Sequence, residues 1–99
     1  MAKLYVSEFS TLAQTGTGLG QVVSTPPLAE QVLSFSTSVT SVAFQSATKV
    51  VRVHTDAICS IAFGGSTIAA TTGNMRLAAG QTEYYGVQGG GFIAVISNS

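Results

Sequence analysis

Residues 49–64, KVVRVHTDAICSIAFG, carry the pattern that most restricts how this chain can fold. Small or apolar side chains occupy every second position in two sets, Val51, Val53 and Thr55, then Cys59, Ile61 and Phe63. Alternation with a period of two is typical of a β-strand whose two faces have different surroundings. The segment therefore predicts two strands joined into a β-hairpin by a tight polar turn at Thr55 and Asp56.

Short segments of the same kind fill most of the chain and are separated by turn residues. They predict strands at residues 3–9, 30–35, 40–45, 75–79, 82–87 and 92–96. In the first of these, Leu4 and Val6 lie on one face, and Tyr5 and Phe9 lie on the other. The last, FIAVI, is apolar on both faces, which is typical of a strand that is covered on both sides.

The spacing of these segments defines the fold class. About eight short strands with turn signals between them predict one small all-β domain, a β-sandwich with jelly-roll-like character. Gly80 and Gln81 predict a hairpin turn, because a glycine at such a turn can adopt a positive φ. The core is expected to contain Val51, Val53, Ile61, Phe63, Leu77, Ile93 and Val95.

Residues 10–27, STLAQTGTGLGQVVSTPP, differ from the rest of the chain in composition, because they are rich in small residues and end in two prolines. Glycines at alternate positions are costly to fix in a packed strand, and Pro26 and Pro27 supply no backbone donors. We predict an extended N-terminal arm or long loop here, with residues 21–24 as its one candidate strand. Residues 1–27 would then be a strand followed by the arm, and residues 28–99 the β-sandwich domain.

The composition limits the kinds of partner. Only 8% of the 99 residues are charged and the formal net charge is +0, against about 25% charged residues in an ordinary soluble domain. Such a surface repels other surfaces weakly and does not attract a phosphate backbone. We therefore expect self-association or docking onto a larger assembly, and no nucleic acid partner. A stable monomer with a polar, uncharged surface is the alternative.

The sequence also contains few signals for targeting or for disulfide formation. The N-terminal sequence is interrupted by Glu8 and is too short for a signal-peptide core. No apolar run approaches the roughly 20 residues of a membrane span, so no membrane partner is expected. The single Cys59 excludes an internal disulfide, which is consistent with assembly in a reducing cytosol.

The residues that could carry chemistry do not form a recognisable site. His54 and Asp56 share a strand face, but Cys59 has the opposite parity and no fourth metal ligand lies near. Nothing in the sequence requires a base beside Cys59, and the glycines at 16–20 lack the spacing of a dinucleotide motif. We predict no catalytic, cofactor-binding or metal site, and hence no enzyme.

Tyr84 and Tyr85, with Arg76 and Glu83 nearby, form the cluster most typical of an interface. Because adjacent strand residues point to opposite faces, one tyrosine should pack inward and the other should present its ring outward. The alternative is that both are half-buried residues of a single domain.

Residues 50–97 resemble small structural proteins of tailed bacteriophages. The shared pattern is V-R-V-x-T-D, then I-A-F-G, a loop of small residues, M-x-L-x-A-G, E-Y-[YF]-x-V and a closing I-A-V-I strand. The resemblance implies a virion component, assembled in the bacterial host cytoplasm, that decorates and stabilises the capsid as a homotrimer. Its partners would be the major capsid protein and other copies of itself. The expected interface residues are Thr17, Leu19, Val22, Pro26, Pro27, Arg76, Tyr84 and Tyr85.

Other functions are compatible with the same residues. A head–tail adaptor or a tail or fibre subunit would differ mainly in copy number per particle. A small carbohydrate- or receptor-binding module would use Tyr84 or Tyr85 as a stacking platform. If residues 1–27 act only as an arm, their deletion should leave a soluble β-domain that no longer binds shells.

Overall fold

The structure, a computed structural model, describes residues 2–10, 12–15, 18–23 and 27–98. The regular secondary structure in these ranges consists of β-strands: β1 (Ala2–Phe9), β2 (Leu12–Thr15), β3 (Gly18–Val23), β4 (Ala29–Phe35), β5 (Val39–Thr40), β6 (Val50–Thr55), β7 (Cys59–Gly64), β8 (Met75–Leu77), β9 (Thr82–Gly86) and β10 (Phe92–Ser97). Eight of them form two four-stranded antiparallel sheets. We call β4-β1-β6-β9 the front sheet and β5-β10-β7-β8 the back sheet.

The strand order confirms the predicted fold class. From β4 onward, consecutive strands alternate between the two sheets, except that β7 and β8 are neighbours in the back sheet. This is the connectivity of a jelly roll. The strand that closes the front sheet, between β4 and β6, is the first strand of the chain.

The core lies between the inner faces of the two sheets. Six of the seven predicted core residues are at most 1% exposed, and Phe63 is half-buried against them. Leu4 and Val6 of β1 and Phe35 of β4 complete this layer from the front sheet. Period-two alternation therefore identified the inward face of the central strands.

The predicted hairpin at residues 49–64 is wrong, although both of its strands exist. β6 belongs to the front sheet and β7 to the back sheet, so the turn between them connects the two sheets. The predicted hairpin turn at Gly80 and Gln81 likewise joins strands of different sheets, β8 and β9. A tight polar turn can have the same residues whether it joins two paired strands of one sheet, as in a hairpin, or two strands of different sheets, as in an arch. Only the strand pairing distinguishes the two cases.

The predicted strand at residues 40–45 is reduced to Val39–Thr40. Residues beyond it bond to loops and side chains: the Phe44 N–H donates to the carbonyl of Gly91 at 2.8 Å. Gln31 pairs through its side-chain amide with both backbone groups of Val42, at 3.0 and 3.1 Å. These contacts satisfy the backbone without a strand.

The N-terminal segment divides differently from the prediction. β1 lies between β4 and β6 and contributes to the core, so it is part of the sandwich. Within the predicted arm, β2 and β3 pair with each other in a separate two-stranded sheet. Deleting residues 1–27 would thus remove a central strand, and a test of the arm has to spare β1.

A loop covers the outer face of the back sheet. Residues 65–74 cross it, and the Thr40 hydroxyl donates to the carbonyl of Ile68 while the Ala70 N–H donates to the Ser38 hydroxyl, both at 2.9 Å. Under the loop the face carries small side chains, including buried Ser60 and Ala94. The central strand β10 is therefore covered on both sides, as its sequence predicted.

Candidate functional site

The two ends of the sandwich differ. At one end, which we call the termini end, lie the turns at residues 36–38, 56–58 and 78–81 together with Asn98. At the other end, which we call the arm end, lie the loops at residues 41–49 and 87–91 and both attachment points of the arm. The Lys49 N–H donates to the carbonyl of Phe9, and the Leu28 N–H donates to the carbonyl of Glu8, at 2.9 and 2.7 Å.

An open groove of about 810 Å³ lies at the arm end between the two sheets. Its described lining consists of aromatic, aliphatic and glycine residues with Lys49 and Gln88: Phe44, Phe63, Gly64, Gly65, Tyr85, Gly86, Val87, Gly89, Gly90, Gly91 and Phe92. This volume is within the range of ligand pockets. We call this feature the groove.

The groove exists because the back sheet is incomplete there. β8 pairs only with Cys59–Ile61 of β7, so within the described ranges no strand pairs with this side of the last three residues of β7. The neighbouring loop at residues 87–91 is rich in glycine and adds little side-chain bulk. Phe63 and Tyr85 are consequently covered on only one side.

Tyr85 contributes one wall of the groove. Its ring packs against Phe63 with centroids 5.1 Å apart at 55°, a tilted geometry favourable for aromatic pairs. Burial raises the pKa of the Tyr85 hydroxyl, and the negative charges of Glu83 and of an ionised Cys59 raise it further. The phenol therefore stays neutral at ordinary pH.

A buried carboxylate secures the opposite wall. Glu8 is 0% exposed and points inward from β1. Its Oε1 accepts hydrogen bonds from the Gln45 N–H at 2.7 Å and the Thr48 hydroxyl at 2.8 Å, and its Oε2 accepts one from Gln31 at 3.2 Å. Glu8 thereby ties the loop at residues 41–49, which carries Phe44 and Lys49, to the front sheet.

Of the predicted interface residues, those in the described sandwich are not brought together. Tyr84 is 54% exposed on the outer face of the front sheet, whereas Tyr85 points inward, as one of the two sequence-based interpretations expected. Arg76 is exposed on β8 of the back sheet, apart from both. Pro27 is half-buried beside the arm's return to β4.

The remaining predicted interface residues belong to the arm. Leu19 and Val22 lie in β3, which pairs with β2. Thr17 and Pro26 lie outside the described residues.

His54, Asp56 and Cys59 do not form a site. His54 lies on the outer face of the front sheet, where its Nδ1 is 2.7 Å from the Thr82 hydroxyl. Cys59 is buried in the core, where desolvation raises the pKa of its thiol against a smaller opposing effect of the Thr55 hydroxyl. Among the residues described, no three His, Cys, Asp or Glu side chains are arranged to hold a metal ion.

A second depression, of about 500 Å³, lies on the outer face of the front sheet. It is lined by Tyr5, Ser7, Glu30, Arg52, His54 and Asp56. The strand register explains the gathering, because Ser7 is directly opposite both Glu30 and Arg52, and Tyr5 is opposite His54. Sequence alternation placed most of these side chains on outward faces, but the sequence did not reveal which strands are neighbours.

Comparisons of the chain with protein-family models, curated proteins and solved structures found no match. In the described ranges no helix is long and apolar enough to cross a membrane.

Proposed function

We propose that this protein is a non-enzymatic virion structural protein that decorates and stabilises a bacteriophage capsid as a homotrimer. The observation that carries the proposal is an uncharged arm whose described strands, β2 and β3, pair with each other and with neither sheet of the jelly-roll-like sandwich. The pattern in residues 50–97 that resembles small phage structural proteins gives the proposal its biological setting.

The physical properties of the arm support docking on a repeated surface. A two-stranded hairpin alone is marginally stable in water, so β2 and β3 gain most when they pack against another protein. A shell offers many equivalent sites, and several arms in one cluster raise the effective concentration of each. The low charge of the chain favours close contact between subunits.

Quantitative mass spectrometry of purified particles tests this proposal. The ratio of this chain to the major shell protein should be near a simple stoichiometric value. A copy number that fits one small ring would instead identify a head–tail adaptor or a tail or fibre subunit. Absence from particles would remove the proposal.

A shell-binding assay tests the arm directly. A variant in which residues 11–26 are replaced by a short Gly-Ser linker keeps β1 and the two bonds at the arm's attachment points. We expect it to fold and to lose shell binding. Undiminished binding by this variant would show that the sandwich alone holds the shell.

The depression on the front sheet favours a second candidate, a carbohydrate-binding module. Four of the nine Lys, Arg, Asp, Glu and His side chains of the chain line it, next to the partly exposed ring of Tyr5. Carboxylates accept and guanidinium groups donate hydrogen bonds, as sugar hydroxyls require. Saturable glycan binding that is lost in Tyr5→Ala but kept in Tyr84→Ala would support this site, and no response across a glycan panel would dismiss it.

A further inference from the structure

We propose that the arm of one copy, residues 10–27, binds in the groove of a neighbouring copy. The inference rests on the proposed function, because it names the contact through which the decorating cluster forms. It assigns an occupant to the apolar opening at the arm end of the sandwich.

Both sides of the groove offer strand edges. β9 is the outermost strand of the front sheet, and the end of β7 extends past β8 in the back sheet. Such edges present unpaired N–H and C=O groups. An extended segment can add to them by main-chain hydrogen bonds while its alternate side chains enter the apolar space between the sheets.

The chemistry of the arm matches the groove. Residues 10–27 contain no charged side chain and include Leu12, Leu19, Val22 and Val23. The described lining of the groove has one charged side chain, Lys49. Docking an uncharged segment there leaves no second charge to be buried without a partner, which is the main cost of a mismatched interface.

The arm and the groove lie at opposite edges of the same sandwich. The arm leaves from β1 and returns at β4, whereas the groove lies beside β9 at the opposite edge of the front sheet. With about 4.8 Å between adjacent strands, β9 is about 10 Å from β1 and about 14 Å from β4. Donor and acceptor on opposite edges give a head-to-tail contact, which closes into a ring when the rotation allows it. A rotation of about 120° from one copy to the next would close the ring as the homotrimer proposed above.

Site-specific photo-crosslinking tests the contact. Gln88 lines the groove and is exposed, so Gln88→p-benzoylphenylalanine should fold normally. After irradiation of the purified full-length protein we expect covalent dimers whose cross-links map to residues 10–27. The matched control is the same replacement at Met75, which is 50% exposed on the back sheet and should give no such dimers. Cross-links to residues 10–27 of the same chain would overturn the proposal.

Sedimentation of two matched variants measures the energetic contribution. Val22→Asp introduces a charge into the arm and should weaken self-association by about tenfold or more, as expected for an apolar anchor. Val42→Asp makes the same change at a side chain that is 74% exposed on the sandwich, and it should leave association unchanged. A wild-type protein that stays monomeric to about 1 mM, or equal losses in both variants, would overturn the contact.

The outcome is separable from that of the proposed function. Intermolecular cross-links in a protein that is absent from particles would remove the capsid role and leave the arm contact standing. Particle binding accompanied only by intramolecular cross-links would leave the capsid role standing and remove the arm contact.

Discussion

The two ends of the sandwich are closed by different kinds of contact. At the termini end, backbone groups bond directly across the turns: Gly80 N–H to the Thr55 carbonyl at 2.8 Å, Asp56 N–H to Lys3 and Asn98 N–H to Ile58, both at 3.2 Å. At the arm end, the Glu8 carboxylate binds the Gln45 N–H and the Thr48 hydroxyl of the loop at residues 41–49. Backbone bonds also cross the arm end, from the Phe44 N–H to the Gly91 carbonyl at 2.8 Å and from the Val87 N–H to the Lys49 carbonyl at 2.9 Å. The difference lies in the carboxylates: Glu8 is buried, whereas Asp56, which accepts a hydrogen bond from the Lys3 N–H at the termini end, is exposed.

The two ends of the sandwich can therefore have separate roles. When an exposed carboxylate is removed, water can take its place as the acceptor for the backbone N–H. When a buried carboxylate is removed, its donors are left without an acceptor in a place that water reaches less easily, so the arm end is the more sensitive to substitution. We therefore expect single changes at the arm end to have larger effects than changes of the same kind at the termini end.

Glu8→Ala should have the largest effect on folding. It leaves the Thr48 hydroxyl without its acceptor in a buried site and the Gln45 N–H without its acceptor in a partly buried one, while the Gln31 amide keeps the Val42 carbonyl. Buried unsatisfied groups cost about 1–3 kcal/mol each, and water entering the space offsets part of this. We expect a loss of about 3 kcal/mol in the free energy of unfolding, measured by urea denaturation.

Glu8→Gln is the matched control. The amide keeps the shape and one acceptor oxygen but removes the charge, so the loss should be about 1 kcal/mol, the value of an ordinary hydrogen bond. Equal losses for Glu8→Ala and Glu8→Gln would mean that the charge, and not the set of acceptors, secures the loop.

Gly89→Ala should be the next most disruptive change. A β-carbon at this position would clash with the carbonyl oxygen of Ser46 and would lie 2.7 Å from its carbonyl carbon. Both are backbone atoms, so the loops at residues 41–49 and 87–91 would have to separate. We expect a loss of about 2 kcal/mol, within the range for overpacking, detected as a lower urea midpoint. Gly65→Ala, with no atom within 4 Å of its β-carbon, should be nearly neutral.

Gly80→Ala makes the same change at the termini end. Its β-carbon meets no atom within 4 Å, but the backbone has a φ of 78°. A non-glycine residue in this left-handed region costs about 1 kcal/mol, so the loss should be about half that of Gly89→Ala. A larger loss at Gly80 than at Gly89 would contradict the contrast between the two ends.

The sequence predicted the interior of the molecule better than its ends. Alternation alone identified Val51, Val53 and Ile61 as inward-facing, because burial on one face of a strand imposes that pattern directly. It could not show that β6 and β7 belong to different sheets, since that depends on partners far away in the chain. The residues of a turn determine its local conformation, whereas strand pairing depends on residues far away in the chain.

The features of the site that the sequence did not reveal also depend on residues far apart in the chain. Glu8 looked like an ordinary strand carboxylate, and its partners Gln45 and Thr48 are 37 and 40 residues away. The groove results from the short length of β8, which no local pattern indicated. By contrast, the opposite orientations of Tyr84 and Tyr85 followed from their adjacency on one strand.

The smallest effect at neutral pH is expected from Cys59, near the termini end. Burial raises the pKa of its thiol above the ordinary value of 9.0. Below that value the thiol is protonated in both the folded and the unfolded chain, so it does not affect stability. As the pH rises above it, the unfolded chain releases the proton first, and the free energy of unfolding falls.

Thermal unfolding between pH 7 and pH 10 measures this linkage. The wild-type protein should lose stability above about pH 9, and Cys59→Ala should lose less over the same interval. Tyr85→Phe supplies the comparison at the arm end, because the pKa of the Tyr85 hydroxyl is also raised and its ionisation begins at higher pH. If Cys59→Ala and the wild-type protein had the same pH profile, the thiol would have to ionise as easily in the folded chain as in the unfolded one. That result would be incompatible with a Cys59 side chain closed off inside the core.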